Sequence, residues 1–180
     1  MRPIRVSAIL AILALARAGA AAQEAAGTTH WALAAGYGRT VPFVTAAETE
    51  TNLLFLAPQW SYRLGSVVEG VVEGHIAGYV GDTDGWFLGA LPLGFRFRVP
   101  DSAWRPYLAL QAGFGWTDLN VIEIDRRFNF ILVGGLGARP GGEDGRLSLE
   151  IRLVHYSNAG TVLPNYGLNS LALVGGWRLK

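Results

Sequence analysis

The feature that most constrains this chain is an alternation of oily and ionisable side chains, carried through short segments with turn-forming residues between them. Val68, Val72 and Ile76 share one parity, while Glu69, Glu73 and His75 share the other. Successive side chains of a strand point to opposite faces, so such a segment has one apolar and one ionisable face. A second segment sets Leu91, Leu93, Phe95, Phe97 and Val99 against Ala90, Gly94, Arg96 and Arg98. A third sets Leu149, Ile151 and Leu153 against Ser148, Glu150 and Arg152. No stretch beyond the amino terminus sustains a helical period. The pattern predicts eight strands, about 30–38, 52–63, 66–79, 86–99, 104–116, 127–139, 146–157 and 168–179. An even number of antiparallel strands can close into a barrel with both chain ends on one side.

Alternation alone does not say which face is inside. A soluble, lipocalin-like barrel turns its oily face inward, and a membrane barrel turns it outward. The six tryptophans, Trp31, Trp60, Trp86, Trp104, Trp116 and Trp177, fall near strand ends, where an amphipathic ring sits at headgroup level. All but Trp86 share the oily parity. Glycines and alanines populate the other face, Gly89 apart, as suits a narrow lumen. With 51% hydrophobic and 16% charged residues, and Lys180 as the only lysine, the chain is poorly equipped for a fully wet exterior. The expected fold is therefore all-β: an eight-stranded antiparallel transmembrane β-barrel. The connections at Gly65, 100–103 and 140–145 are mostly short and are expected on the periplasmic side. Those at 40–51, 117–126 and 158–167 are then expected outside the cell. A net charge of +1 offers no broad field for nucleic acid, which is excluded as a partner.

The amino terminus points to export. Arg2 and Arg5 form a positive n-region, Ala8 to Ala16 an apolar h-region, and Gly19 to Gln23 a small-residue cleavage site. The apolar run is broken at Arg17 and falls short of the ~20 residues a spanning helix needs. Residues 1–22 are read as a cleaved signal peptide and 23–180 as the barrel domain of a Gram-negative outer-membrane protein. The chain has no cysteine, so stability outside the cytoplasm must come from packing and the membrane.

Chemistry is expected at the end of the seventh strand, which reads IRLVHYSNAGTVLPNYGLNS from Ile151. By parity, His155 and Ser157 project with Leu149, Ile151 and Leu153 onto the oily, lipid-facing side. Residues two apart on a strand have Cα atoms about 6.6 Å apart, from ~3.3 Å of rise per residue, so imidazole and hydroxyl can meet. The functional reading makes Ser157 a nucleophile and His155 its general base, with ester hydrolysis as the natural reaction. The plain alternative is a His and a Ser that merely reach the wet interface. His75 with Glu69 and Glu73, and Glu150 with Arg152, read as ionic networks of the lumen rather than metal ligands, and Asp82 and Asp84 as turn residues before Gly85.

The segments HYSNAG and PNYGLNS, spanning about Arg152 to Ser170, resemble the signature of the lipid A 3-O-deacylase family, the PagL-type enzymes. The resemblance implies an outer-membrane barrel that removes the ester-linked 3-hydroxyacyl chain at position 3 of lipid A by a serine-hydrolase mechanism. It implies His155 as base and Ser157 as nucleophile, with Asn158 and Asn165 as oxyanion donors through backbone or side-chain N–H. The family's acidic residue is expected at Asn169, where an amide stands instead; Asp118, Glu123 and Asp125 are further carboxylates in the loop before the sixth strand. The implied partners are lipid A or lipopolysaccharide as substrate and the surrounding outer-membrane lipid, with a homodimer left open. No cofactor or metal is expected. The competing reading is a non-catalytic barrel with a degenerate site; a pore is disfavoured because side chains fill an eight-strand interior.

Overall fold

The alternating segments all become strands, and each starts and ends within two residues of its expected bounds. The structure is a computed structural model that describes residues 27–42, 49–124, 127–142, 144–163 and 165–179. The segment read as a signal peptide, Asp125 and Lys180 lie outside the described residues. The strands are β1 (Thr29–Thr40), β2 (Thr51–Arg63), β3 (Val68–Gly81), β4 (Gly85–Arg98), β5 (Pro106–Thr117), β6 (Phe128–Ala138), β7 (Leu147–Ser157) and β8 (Leu168–Arg178). Each pairs antiparallel with its neighbours, and β8 pairs with β1 to close the barrel. Closure leaves no unpaired edge, which a strand in hydrocarbon requires. The short turns β2–β3, β4–β5 and β6–β7 gather at one end, the turn end; the longer β1–β2, β5–β6 and β7–β8 loops gather with β3–β4 at the other, the loop end.

The oily face is the outside. Leu54, Val72, Ile76, Leu93, Leu132, Ile151 and Leu173 are all exposed on the barrel wall, while Glu69, Glu73, His75, Arg96, Glu150 and Arg152 are buried within it. A barrel with a hydrocarbon-like exterior and an ionic interior is a transmembrane barrel.

One strand departs from simple alternation. Leu91 is expected on the oily face but is fully buried in the lumen, whereas Leu93 is 57% exposed. Against β3 and against β5 alike, β4 carries one extra residue around Pro92, a bulge that reverses its parity. Proline has no N–H to give the ladder, so a bulge is where it is tolerated in a central strand. The reversal puts Phe87 and Gly89 inside and turns Trp86 out. All six tryptophans therefore face outward: Trp31, Trp60, Trp104 and Trp177 toward the turn end, Trp86 and Trp116 toward the loop end. The apparent exceptions at Trp86 and Gly89 have the same cause as the misplacement of Leu91.

The lumen is filled in two layers. Toward the turn end, Arg152 is clamped between Glu73 and Glu150, with nitrogen–oxygen distances of 2.7 Å to each. Gln59 Nε2 donates to Glu73 at 2.7 Å, Arg96 donates to Gln59 at 2.6 Å, and the Tyr107 hydroxyl donates to Glu150 at 3.0 Å. Buried charges persist only when paired and hydrogen-bonded in this way. Toward the loop end lies an apolar layer of Leu53, Phe55, Tyr79, Phe87, Ile131, Tyr156 and Leu168. Leu119, Val121 and Ile124 of the β5–β6 loop are buried against the same cluster and cover it.

Candidate active site

The site forms where β7 reaches the loop end. Tyr156 points inward: its hydroxyl lies 2.6 Å from His75 Nε2 and its ring packs 4.4 Å from that of Phe87. Anchoring this middle residue in the lumen forces His155 and Ser157 onto the outer wall, both half-buried. In the β6–β7 register Phe130 stands opposite Ser157 and Leu132 opposite His155. In the β7–β8 register His155 faces Asn169 directly.

Asn169 Oδ1 lies 2.8 Å from His155 Nδ1. An amide oxygen only accepts, so the ring carries its proton on Nδ1 and presents Nε2 as the basic nitrogen. A base that takes the proton of a serine needs this tautomer. Asn169 is nearly buried, at 3% exposure, so the bond is shielded from water. Of the other carboxylates considered for this role, Asp118 Oδ1 accepts from the Trp86 backbone N–H at 2.7 Å, and Glu123 accepts from the Thr49 N–H at 2.9 Å and the Thr49 hydroxyl at 2.8 Å. The residue bonded to His155 Nδ1 is therefore Asn169, and Asp118 and Glu123 are engaged elsewhere.

The β7–β8 loop is folded by its own amides. The Asn158 N–H donates to Asn165 Oδ1 at 3.0 Å, Asn158 Nδ2 donates to the Val162 carbonyl at 3.1 Å, and the Asn158 carbonyl accepts from the Thr161 hydroxyl at 2.9 Å. The Asn158 backbone N–H and one of its amide hydrogens are thus spent within the loop, which leaves its second amide hydrogen as a donor. Asn165, with Oδ1 already accepting, keeps its Nδ2 hydrogens as donors. Ala159 and Gly160 follow with φ of 55° and 73°, a tight left-handed turn next to the serine.

Two features of the site carry no obvious sequence signal. The first is Gly167, with φ of 75°, against which the His155 ring lies: a Cβ there would overlap Cε1 and stand only 3.2 and 3.3 Å from Nδ1 and Nε2. The second is an apolar groove of about 390 Å³ on the outer wall, running from His155 past Leu153, Leu132, Gly134 and Ala112 to Leu93. Gly134 and Ala112 make its floor shallow-walled, and a Cβ added at Gly134 would meet nothing within 4 Å. Away from this site, His75 is committed to Tyr156, and Arg139 stands 4.0 Å from Glu69. Among the described residues no group of three or more His, Asp and Glu side chains is arranged around a metal-sized centre.

The fold and these residues define a transmembrane β-barrel that carries Ser157, His155 and the amide bonded to it on its outward wall; among the described residues no hydrogen bond joins the Ser157 hydroxyl to the His155 ring. The model of one family, lipid A 3-O-deacylase (PagL), matches residues 45–178, and the chain belongs to that family. Among solved structures, the barrel is similar to the crystal structure of the outer membrane enzyme PagL, with a TM-score of 0.66 and 19% identity over 82% of this chain and 99% of that one. It is also similar to Neisserial surface protein A, with a TM-score of 0.60 and 12% identity over 84% of this chain and 96% of that one. Ail, the attachment invasion locus protein of Yersinia pestis, aligns with a TM-score of 0.51 and 12% identity over 86% of this chain and 99% of that one. These structural likenesses are of fold. No curated protein is similar enough in sequence to count as a match.

Proposed function

We propose that the chain is a lipid A deacylase of the Gram-negative outer membrane, exported with a cleaved signal peptide, that hydrolyses the 3-hydroxyacyl ester at position 3 of lipid A. The observation that carries this reading is the bond between His155 and Asn169 on the outward wall at the loop end. With the longer loops outside the cell, this wall meets the outer leaflet, where lipid A esters lie. A base oriented for proton transfer is of no use to a barrel that only spans lipid, and a polar cluster against hydrocarbon is costly.

In this mechanism Ser157 Oγ attacks the ester carbonyl while His155 Nε2 accepts the hydroxyl proton. The imidazolium so formed is held by Asn169 Oδ1. The oxyanion of the tetrahedral intermediate is bonded by Asn165 Nδ2, whose amide is set in place by Asn158. Collapse breaks the bond to the sugar oxygen, which leaves with the proton from His155, and the acyl chain stays on Ser157. Water, deprotonated by His155, then releases the 3-hydroxy fatty acid and restores the serine. The groove from His155 toward Leu93 offers the departing acyl chain an apolar bed continuous with the membrane. The proposed site residues all come from one chain, and the chemistry uses neither a metal nor a cofactor.

Purified protein refolded in detergent and incubated with lipopolysaccharide tests the reading. The expected result is free 3-hydroxy fatty acid, lost in Ser157→Ala and His155→Ala. Equal trace release from wild type and both variants would overturn it. The second reading, a non-catalytic barrel that keeps the family scaffold, is favoured by one observation: an amide, not a carboxylate, faces His155. The same assay separates the two.

A further inference from the structure

We propose that Glu123 is a positioning residue, which joins three loops into a latch that holds Gly167 against the Cε1 edge of the His155 imidazole, between its two nitrogens. This inference rests on the reading of His155 as the base.

Glu123 is fully buried, between Val121 and Ile124, in the β5–β6 loop that covers the apolar layer of the lumen. Its carboxylate bonds the β1–β2 loop twice, accepting from Thr49 N–H at 2.9 Å and Thr49 Oγ1 at 2.8 Å. Its backbone carbonyl bonds the β7–β8 loop, accepting from Gly167 N–H at 3.0 Å. One residue thus ties loops that are far apart in sequence. The base of its own loop is fixed separately to β4, through Asp118 N–H to the Trp86 carbonyl at 3.3 Å and Asp118 Oδ1 to the Trp86 N–H.

The consequence falls on His155. Its ring is bounded at Nδ1 by Asn169 and at its Cε1 edge by Gly167, two residues before Asn169 at the entry to β8. Gly167 stands at φ 75°, a conformation that side-chain-bearing residues resist, and any Cβ there would push into the ring. The glycine is therefore both the wall of the imidazole slot and a point the Glu123 carbonyl holds in place. Burying a carboxylate costs stability unless its oxygens are bonded, and here each oxygen has a Thr49 donor. Loosening that clasp frees the loop carrying the carbonyl, and with it the slot.

The chemistry separates this role from that of a catalytic acid. Glutamine at 123 keeps both clasp bonds, since its Oε1 accepts from Thr49 N–H while its Nε2 donates to Thr49 Oγ1. Glu123→Gln should therefore retain acyl release within about threefold, whereas Glu123→Ala should lower kcat roughly 10- to 100-fold, the range for a displaced catalytic group, with little change in KM. Independently of turnover, protein labelled with 13C,15N-histidine should show the His155 resonances, assigned by their loss in His155→Ala, shifted or broadened in Glu123→Ala and Gly167→Ala. They should be preserved in Glu123→Gln, with His75 unmoved throughout. Folding is checked by heat-dependent gel mobility; if Glu123→Ala does not fold, Thr49→Val, which removes one clasp bond, replaces it and should shift His155 partway. Wild-type His155 signals in a folded Glu123→Ala or Thr49→Val barrel would overturn the proposal, as would Glu123→Gln behaving like Glu123→Ala. If the wild type releases no acyl chain, the enzymatic reading fails, and the resonance shifts still decide whether the latch holds the ring.

Discussion

Replacing Asn169 by aspartate asks what the missing charge is worth. Aspartate has nearly the same shape, so its oxygen can take the place of Oδ1, 2.8 Å from His155 Nδ1. In a serine protease with a Ser-His-Asp triad, asparagine in place of the aspartate costs about 10⁴ in turnover, but that loss comes from the wrong histidine tautomer. Here the amide oxygen already faces Nδ1, so the tautomer is right and only the charge term remains. A hydrogen bond to a charged group contributes ~1.5–3 kcal/mol against ~0.5–1.5 kcal/mol for a neutral one. The difference, about 1–1.5 kcal/mol, acts on the imidazolium formed in the transition state and corresponds to roughly a tenfold rise in kcat. The burial of Asn169 works the other way on stability, since the variant must hold a carboxylate at a position with 3% exposure. The assay is initial-rate release of 3-hydroxy fatty acid from lipopolysaccharide in detergent, with urea unfolding in parallel. Asn169→Asp should be roughly tenfold faster and measurably less stable. A gain near 10⁴ would mean the wild-type tautomer is wrong and the geometry misassigned; a slower enzyme with an intact fold would refute the role of Asn169.

Three other perturbations have defined outcomes. Arg152→Leu leaves Glu73 and Glu150 uncompensated in the lumen and should destabilise the barrel by about 3–5 kcal/mol in urea unfolding from lipid vesicles. Gly134→Phe adds a ring to the open floor of the outer groove and should lower release of long acyl chains more than short ones, read by competition between lipid A species. Asn165→Ala removes the proposed oxyanion donor and should cost ~10²–10³ in kcat with little change in KM.

Much of this was legible because membrane strands reveal themselves residue by residue. Parity at Val68, Glu69, Val72 and Glu73 sorts wall from lumen without reference to distant parts of the chain. It placed His155 and Ser157 outward for the same reason that it placed Ile151 and Leu153 there. It failed at Leu91, where Pro92 inserts one residue into β4; Trp86 and Gly89, standing on the wrong parity, were the trace that bulge left in the sequence. The partner of His155 was harder, because Asn169 is opposite only once the β7–β8 register is known. The local bonds of Asn158 were out of reach too, because its backbone N–H and one amide hydrogen are taken up inside its own loop, where no periodicity applies. The clasp of Glu123 on Thr49 and Gly167 joins three loops through three hydrogen bonds, and nothing local in any of them announces it.

The most direct test of the central claim is mass spectrometry of lipid A from a Gram-negative host whose lipid A retains its position-3 acyl chain, expressing either the wild-type chain or Ser157→Ala. Wild type should yield lipid A lighter by one 3-hydroxyacyl group at that position, and Ser157→Ala should leave it intact. Unchanged lipid A in both, with the barrel folded in the outer membrane, would contradict the account.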